Sequence, residues 1–302
     1  MNRLLLPTGG FHAAARWAIL FLAVPSAAQI GPNGFAQNKW TGAWGSDGPI
    51  FTGDLNGDHK TDVFMWRDAD KSWTVNLSTG SGFVQQKWTG AWGSDGPIFT
   101  GDLNGDGKTD VFMWRDADKS WTVILSTGSG FAQSKWMGAW GSDGPIRVAD
   151  LNGDGKADVF MWRKVDNAWT VNLSTGSGFV AARWLGACGG DGPVVIGDFN
   201  GDKRADVAVW RNDLKKWLVN LSKGDSFDMQ QWTGAWGSDG PIHSGDLNGD
   251  GRTDVFMWRD VDKSWTINLA TDVPVGPAAA IPGCGVPIWQ TQGPHTLKNE
   301  VG

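Results

Sequence analysis

A 48-residue unit runs five times through this chain with no insertion or deletion between copies, over residues 34–81, 82–129, 130–177, 178–225 and 226–273. Units 34–81 and 82–129 differ at only four positions. Self-similarity at such a period marks a supersecondary unit that cannot bury its own apolar face and stacks on copies of itself. Four short β-type runs, Ile50–Gly53, Val63–Arg67, Trp73–Ser78 and Phe83–Trp88, follow one another between turn signals and then recur. Four strands per period is the sequence form of a β-propeller blade. A linear solenoid would need atypical capping repeats at its ends, and the sequence shows none. The chain is therefore expected to be all-β, a five-bladed β-propeller over residues 29–273. The first unit begins with a fourth-strand-like run, and the last hairpin, Ile242–Leu269, lacks one after it. Phe35–Trp44 is expected to pair with that fifth hairpin, closing the ring one-plus-three and leaving no orphan edge.

Inside each unit lies a ten-residue loop, Gly53–Asp62 in the first, which returns at Gly101–Asp110, Ala149–Asp158, Gly197–Asp206 and Gly245–Asp254. Counted from the Asp that follows its first residue, side-chain oxygens fall at positions 1, 3, 5 and 9. These are Asp54, Asn56, Asp58 and Asp62; Asp102, Asn104, Asp106 and Asp110; Asp150, Asn152, Asp154 and Asp158; Asp198, Asn200, Asp202 and Asp206; and Asp246, Asn248, Asp250 and Asp254. Short hard-oxygen donors around a glycine bend suit Ca²⁺, up to five ions in all. The EF-hand loop begins alike but needs a bidentate Glu at position 12, where this chain has Met65. Asx turns without metal are the plain alternative; the crowding of three carboxylates, repeated five times, favours the cation. Position 6 is His59 and Lys203 in two loops but glycine in the others. If that position needs positive φ, those two loops carry strain that glycine avoids.

The units resemble the FG-GAP/VCBS repeat family, on the aromatic-Gly start, the G-D-x-N-G-D-G-x-x-D loop and the hydrophobic strand after it. The resemblance covers five units of 48 residues. It implies a calcium-stapled propeller, as in integrin α-subunit heads, and some similar propellers are lectins.

Residues 1–28 carry Arg3 and Arg16, a short apolar run Trp17–Val24 and small residues before Gln29. That is the form of a secretory signal peptide, too short to span a bilayer, so a secreted protein is expected. Net charge is −6, with no basic stripe to recruit nucleic acid and no later run suited to membrane insertion.

Topology places the calcium loops and the Ser-Thr-Gly-Ser turns on one propeller face. The opposite face collects Trp44, Asp47, Arg67 and Trp73, then Trp92, Asp95, Arg115 and Trp121, Trp140, Asp143, Arg163 and Trp169, and Trp236, Asp239, Arg259 and Trp265. Aromatic planes beside a few polar groups grip sugars, so these are candidate ligand-binding residues of a multivalent, lectin-like carbohydrate-binding module. Tryptophan as inter-blade filler is the competing reading. A module that binds an extracellular protein over one face, without a sugar site, is the alternative function. Repeat 4 departs from the pattern, with Cys188 where the other units have Trp, and its site is expected to be the poorest. No enzyme is expected: the four His are scattered and near-identical blades do not build the unlike groups of a catalytic centre. The two cysteines, Cys188 and Cys284 in the tail 274–302, are expected to form a disulfide in an exported chain.

Overall fold

The computed structural model describes residues 29–30, 36–42, 49–90, 97–139, 146–163, 168–186, 192–235 and 240–271. Outside these lie the segment read as a signal peptide, the tail 274–302, both cysteines, and Trp44, Asp47, Trp92, Asp95, Trp140, Asp143, Trp236 and Asp239. The chain divides into two compact units, Met1–Trp40 and Thr41–Gly302. In the first, Gln29–Ile30 pairs antiparallel with Ala36–Gln37.

The second unit is a five-bladed β-propeller of antiparallel sheets, and the described residues contain no helix. Blade 1 runs Ile50–Gly53, Asp62–Arg67, Ser72–Ser78, Phe83–Thr89; blade 2 runs Ile98–Gly101, Asp110–Arg115, Ser120–Ser126, Phe131–Trp136. Blade 3 runs Ile146–Ala149, Asp158–Arg163, Ala168–Ser174, Phe179–Leu185; blade 4 runs Val194–Gly197, Asp206–Arg211, Lys216–Ser222, Phe227–Trp232. Blade 5 has three strands, Ile242–Gly245, Asp254–Arg259 and Ser264–Asn268. Each strand starts or ends within a residue of its expected limit, because Asp, Gly and Ser turn residues bound every run.

The ends of the segment expected to close the ring, Phe35 and Trp44, lie outside the described residues. Ala36–Gln37 takes Gln29–Ile30 as its partner, and the edge strand of blade 5 has no fourth strand among the described residues. A partner a few residues away costs far less loop-closure entropy than one at the other end of the chain.

The core lies between blades. Leu55, Phe64, Trp66, Trp73, Val75 and Trp88 of blade 1 meet Val111, Met113 and Ile124 of blade 2 in one buried cluster, and equivalent clusters join blades 2–3, 3–4 and 4–5. Register explains it: Trp66 faces Trp73, and Trp73 faces Trp88, so three indoles form one row across three strands. Trp66 meets Trp73 edge-on at 5.3 Å, and Phe131 of the next blade caps Trp88 at 4.9 Å, the geometry aromatic quadrupoles favour. In blade 5 the matching surface is open: Trp265 is 52% exposed where Trp73 and Trp121 are 0% and Trp169 is 1%.

Candidate functional site

The repeated loops are built by their own side chains. Asp54 accepts hydrogen bonds from the amides of Gly57 (2.7 Å), Asp58 and His59 (2.7 Å), and Asn56 accepts from Asp58 at 3.0 Å. These Asx-type bonds curl the backbone without help. Two loop positions are left-handed: Gly57 has φ 77°, and position 6 has φ 64° at His59 and 68° at Lys203, against 79–83° at Gly107, Gly155 and Gly251. His59 and Lys203 therefore hold the conformation that glycine adopts without steric cost.

The carboxylate at position 9 has a different task. Asp62 is fully buried, accepting from the amide of Leu55 at 2.9 Å and of Ser78 at 2.7 Å. It thereby ties the loop to the end of the third strand. Asp110, Asp158, Asp206 and Asp254 do the same. Burial pushes the carboxyls of Asp110, Asp158 and Asp206 up to about 7, against the pull of their two backbone donors. At position 5, the hydrogen bond from Lys60, with Nζ 3.0 Å away, holds Asp58 below the usual carboxylate range. Lys108, Lys156 and Arg204 pair likewise with Asp106, Asp154 and Asp202. Each such loop thus carries its own cation beside one carboxylate, so mutual repulsion among bare acids is weaker than composition alone implies. Among the described residues no three acidic, imidazole or thiol groups converge as a ready metal cage. The donor set remains one of hard oxygens suited to Ca²⁺, but Asp62 and its counterparts must share oxygens already engaged with backbone amides.

Sequence reasoning missed how the loops join blades. The carbonyl at position 1 accepts from the position-8 amide of the next loop: Thr109 to Asp54, Ala157 to Asp102, Ala205 to Asp150 and Thr253 to Asp198, at 2.6–2.8 Å. Ser126 and Ser174 donate their hydroxyls to the carbonyls of Leu55 and Leu103 at 2.5 Å, and Ser222 donates to Leu151. These bonds put loops and Ser-Thr-Gly-Ser turns on one face, as expected, and stitch each blade to the next. The Ser that ends the third strand in blades 2 to 4, always a fixed 71 residues from its acceptor, was the available signal.

At the opposite end, the candidate ligand groups separate. Trp73, Trp121 and Trp169 are core residues without an accessible ring face, which corrects their assignment as stacking platforms. They begin the third strand, but that strand is flanked on both sides and covered by the next blade. Among the described tryptophans of the set, Trp265 is the open one. Arg67 and Arg259 stand partly exposed with Nε 4.0 Å from Asp70 and 3.7 Å from Asp262, and Arg115 lies close enough to Asp118 to lower its carboxyl, after the larger effects of Lys135 and Ser120. Arg163 occupies the same register in blade 3. The rim is a ring of ion pairs: Lys87 with Asp70 and Lys135 with Asp118 at 2.8 Å, Lys71 with Asp68 at 2.6 Å. Lys87 is the main reason that Asp70 falls to about 2.

A repeat propeller stitched through acidic loops defines the class, and comparison gives the family. The model of the FG-GAP-like repeat matches residues 54–113, 102–161, 150–209 and 198–257. The chain belongs to this family, whose propellers serve as binding and scaffold modules. No curated protein matches it. Among solved structures it is similar to a protein from Lactobacillus plantarum, at 10% identity and TM-score 0.40 over 68% of this chain and 66% of that one. It is also similar to the Photorhabdus luminescens Tc holotoxin pore, at 15% identity and TM-score 0.39 over 73% of this chain and 14% of that one. A third is the V. cholerae biofilm matrix protein Bap1, at 18% identity and TM-score 0.33 over 68% of this chain and 34% of that one. The chain spans less than two thirds of the length of each.

Proposed function

We propose that this chain is a secreted, non-enzymatic scaffold that binds a protein partner over one propeller face, with Ca²⁺ held in its repeated loops. The observation that carries this reading is the fate of the tryptophans. The indoles a sugar site needs at Trp73, Trp121 and Trp169 are locked between blades, while the surface around them repeats exposed Lys–Asp pairs. Mixed, exposed charge presented at a constant spacing suits a polar protein interface, where it sets register and partner choice more than affinity. Identical weak contacts then add by multivalency. The calcium reading is supported by four oxygen donors in each of five loops, and the secreted reading by the basic, apolar and small-residue segments of 1–28.

The test is binding of the full chain to a panel of immobilised extracellular proteins, native and enzymatically deglycosylated, beside a glycan array. Calcium-dependent binding that survives deglycosylation is expected. Binding that vanishes with the glycans and reappears on the array would replace this reading with the carbohydrate one, carried by Trp44, Trp92, Trp140 and Trp236.

A further inference from the structure

The second residue of each blade's first strand changes in chemical kind along the series of blades. That residue is Phe51, Phe99, Arg147, Val195 and His243 in blades 1 to 5. The position points onto the blade's own face: Phe51 stacks on Phe64 at 5.7 Å, Phe99 on Phe112 at 5.7 Å and His243 on Phe256 at 5.5 Å. In blade 3 the register partner is again an aromatic, Phe160, but the residue opposite it is Arg147. A guanidinium has replaced a core-stacking ring, and it breaks the symmetry of an otherwise repetitive surface.

Arg147 is half-buried, and burial lowers its pKa. Among the described residues it has no hydrogen-bond or ion-pair partner. It lines a cavity of about 520 Å³ among the inner strands of blades 3 to 5, with Val194, Val195, Ile196, Ile242 and His243 as walls. That volume lies within the range of small-molecule sites, which pair apolar walls with a few polar groups. Among the described residues that line the cavity none is acidic, and the permanent charge they bring is that of Arg147. A partly desolvated cation without a partner is unfavourable, and an anion placed against it offsets that cost.

We propose that this cavity binds a small organic carboxylate, its two oxygens on the Arg147 guanidinium and its body against Val194, Ile196 and Ile242. The planar fork of arginine matches a carboxylate through two parallel hydrogen bonds, and the apolar walls favour a ligand with carbon substituents over a bare inorganic anion. A sugar acid and the carboxyl end of an acylated amino acid share this chemistry. The site is independent of the protein-binding face and stands or falls without it.

The experiment is calorimetric titration of the full chain with glucuronate, N-acetylalanine, neutral glucuronamide and inorganic phosphate. It is repeated on Arg147→Phe and Arg147→Lys. Phenylalanine is the residue that blades 1 and 2 carry at this register, so Arg147→Phe keeps the fold, which circular dichroism checks. The expected result is binding of at least one carboxylate, none of the amide, a loss of at least about tenfold with Arg147→Phe, and a smaller loss with Arg147→Lys, which keeps charge without the fork. Glucuronate alone identifies a sugar acid; both carboxylates binding identifies a general carboxylate site. No heat from either carboxylate, unchanged affinity in Arg147→Phe, or phosphate binding as tightly as both would overturn the proposal.

Discussion

Replacing Trp169 and Trp265 by alanine, one at a time, removes the same side chain from the same register of two blades. Trp169 pairs across strands with Trp162 and Trp184, and Phe227 of blade 4 closes over it at 6.3 Å. It is 1% exposed. A buried indole removes about 150–250 Å² from water, worth about 4–6 kcal/mol at ~25 cal/mol per Å². Measured Trp→Ala losses in cores run at about 3–5 kcal/mol, so Trp169→Ala is expected near 4 kcal/mol. Trp265 meets Trp258 at 5.4 Å and Phe256 at 5.9 Å but is 52% exposed. Half the area leaves about 2 kcal/mol for Trp265→Ala. Urea unfolding followed by far-ultraviolet circular dichroism, at several protein concentrations, measures both. A gap of about 2 kcal/mol supports the open face on blade 5. Equal losses at every concentration would refute it, because Trp265 would then be covered in solution as fully as its counterparts.

His59→Gly and Lys203→Gly relieve a left-handed side chain at φ 64° and 68°; each is expected to stabilise by about 0.5–1 kcal/mol after the extra chain entropy of glycine, read as a higher urea midpoint. Ser174→Ala deletes the buried hydroxyl that joins blade 3 to Leu103 and is expected to cost about 1–3 kcal/mol, since the carbonyl is left unpaired; no change in midpoint refutes the stitching role. In metal-free protein, Asp110, Asp158 and Asp206, with carboxyls at about 7, keep protons that the unfolded chain releases near pH 4, so stability falls as pH rises through the window between. Calcium binding to the ionised form reverses that trend. Melting temperatures that follow pH identically with and without calcium would count against a metal in these loops.

The fold was legible in the sequence because every blade states its strands and turns in the same words. Strand limits such as Ile50–Gly53 and Phe83–Thr89 follow from glycine and aspartate at the breaks, and the loops from Asp54 and Asn56 folding their own backbone. The site was less legible. Trp73 sits beside a turn in the chain, which suggests a rim position, yet its environment is set by neighbours from two other strands and another blade. Three tryptophans at matching distances from their turns were the sign of a cross-strand row. Asp62 was grouped with the other loop oxygens by spacing, although its partners are the amides of Leu55 and Ser78, the second of which no local motif discloses.

A perfect repeat also conceals its own ends. Every unit carries one face that covers and one that is covered, so identical sequence predicts identical burial for Trp73, Trp121, Trp169 and Trp265. The first three fulfil it, and Trp265 does not. What differs is position in the series, since each of the first three has a following blade to supply the Val and Met of its cluster. The hydrogen bonds tell the same story: loop-to-loop bonds run from blade 1 through blade 5, and among the described residues none runs from the loop of blade 5 back to that of blade 1. Ala270 also stands where blades 2 to 4 have the stitching serine. Among the described residues, the last blade thus keeps the aromatic surface of an interior blade without the contacts that cover it in blades 1 to 3.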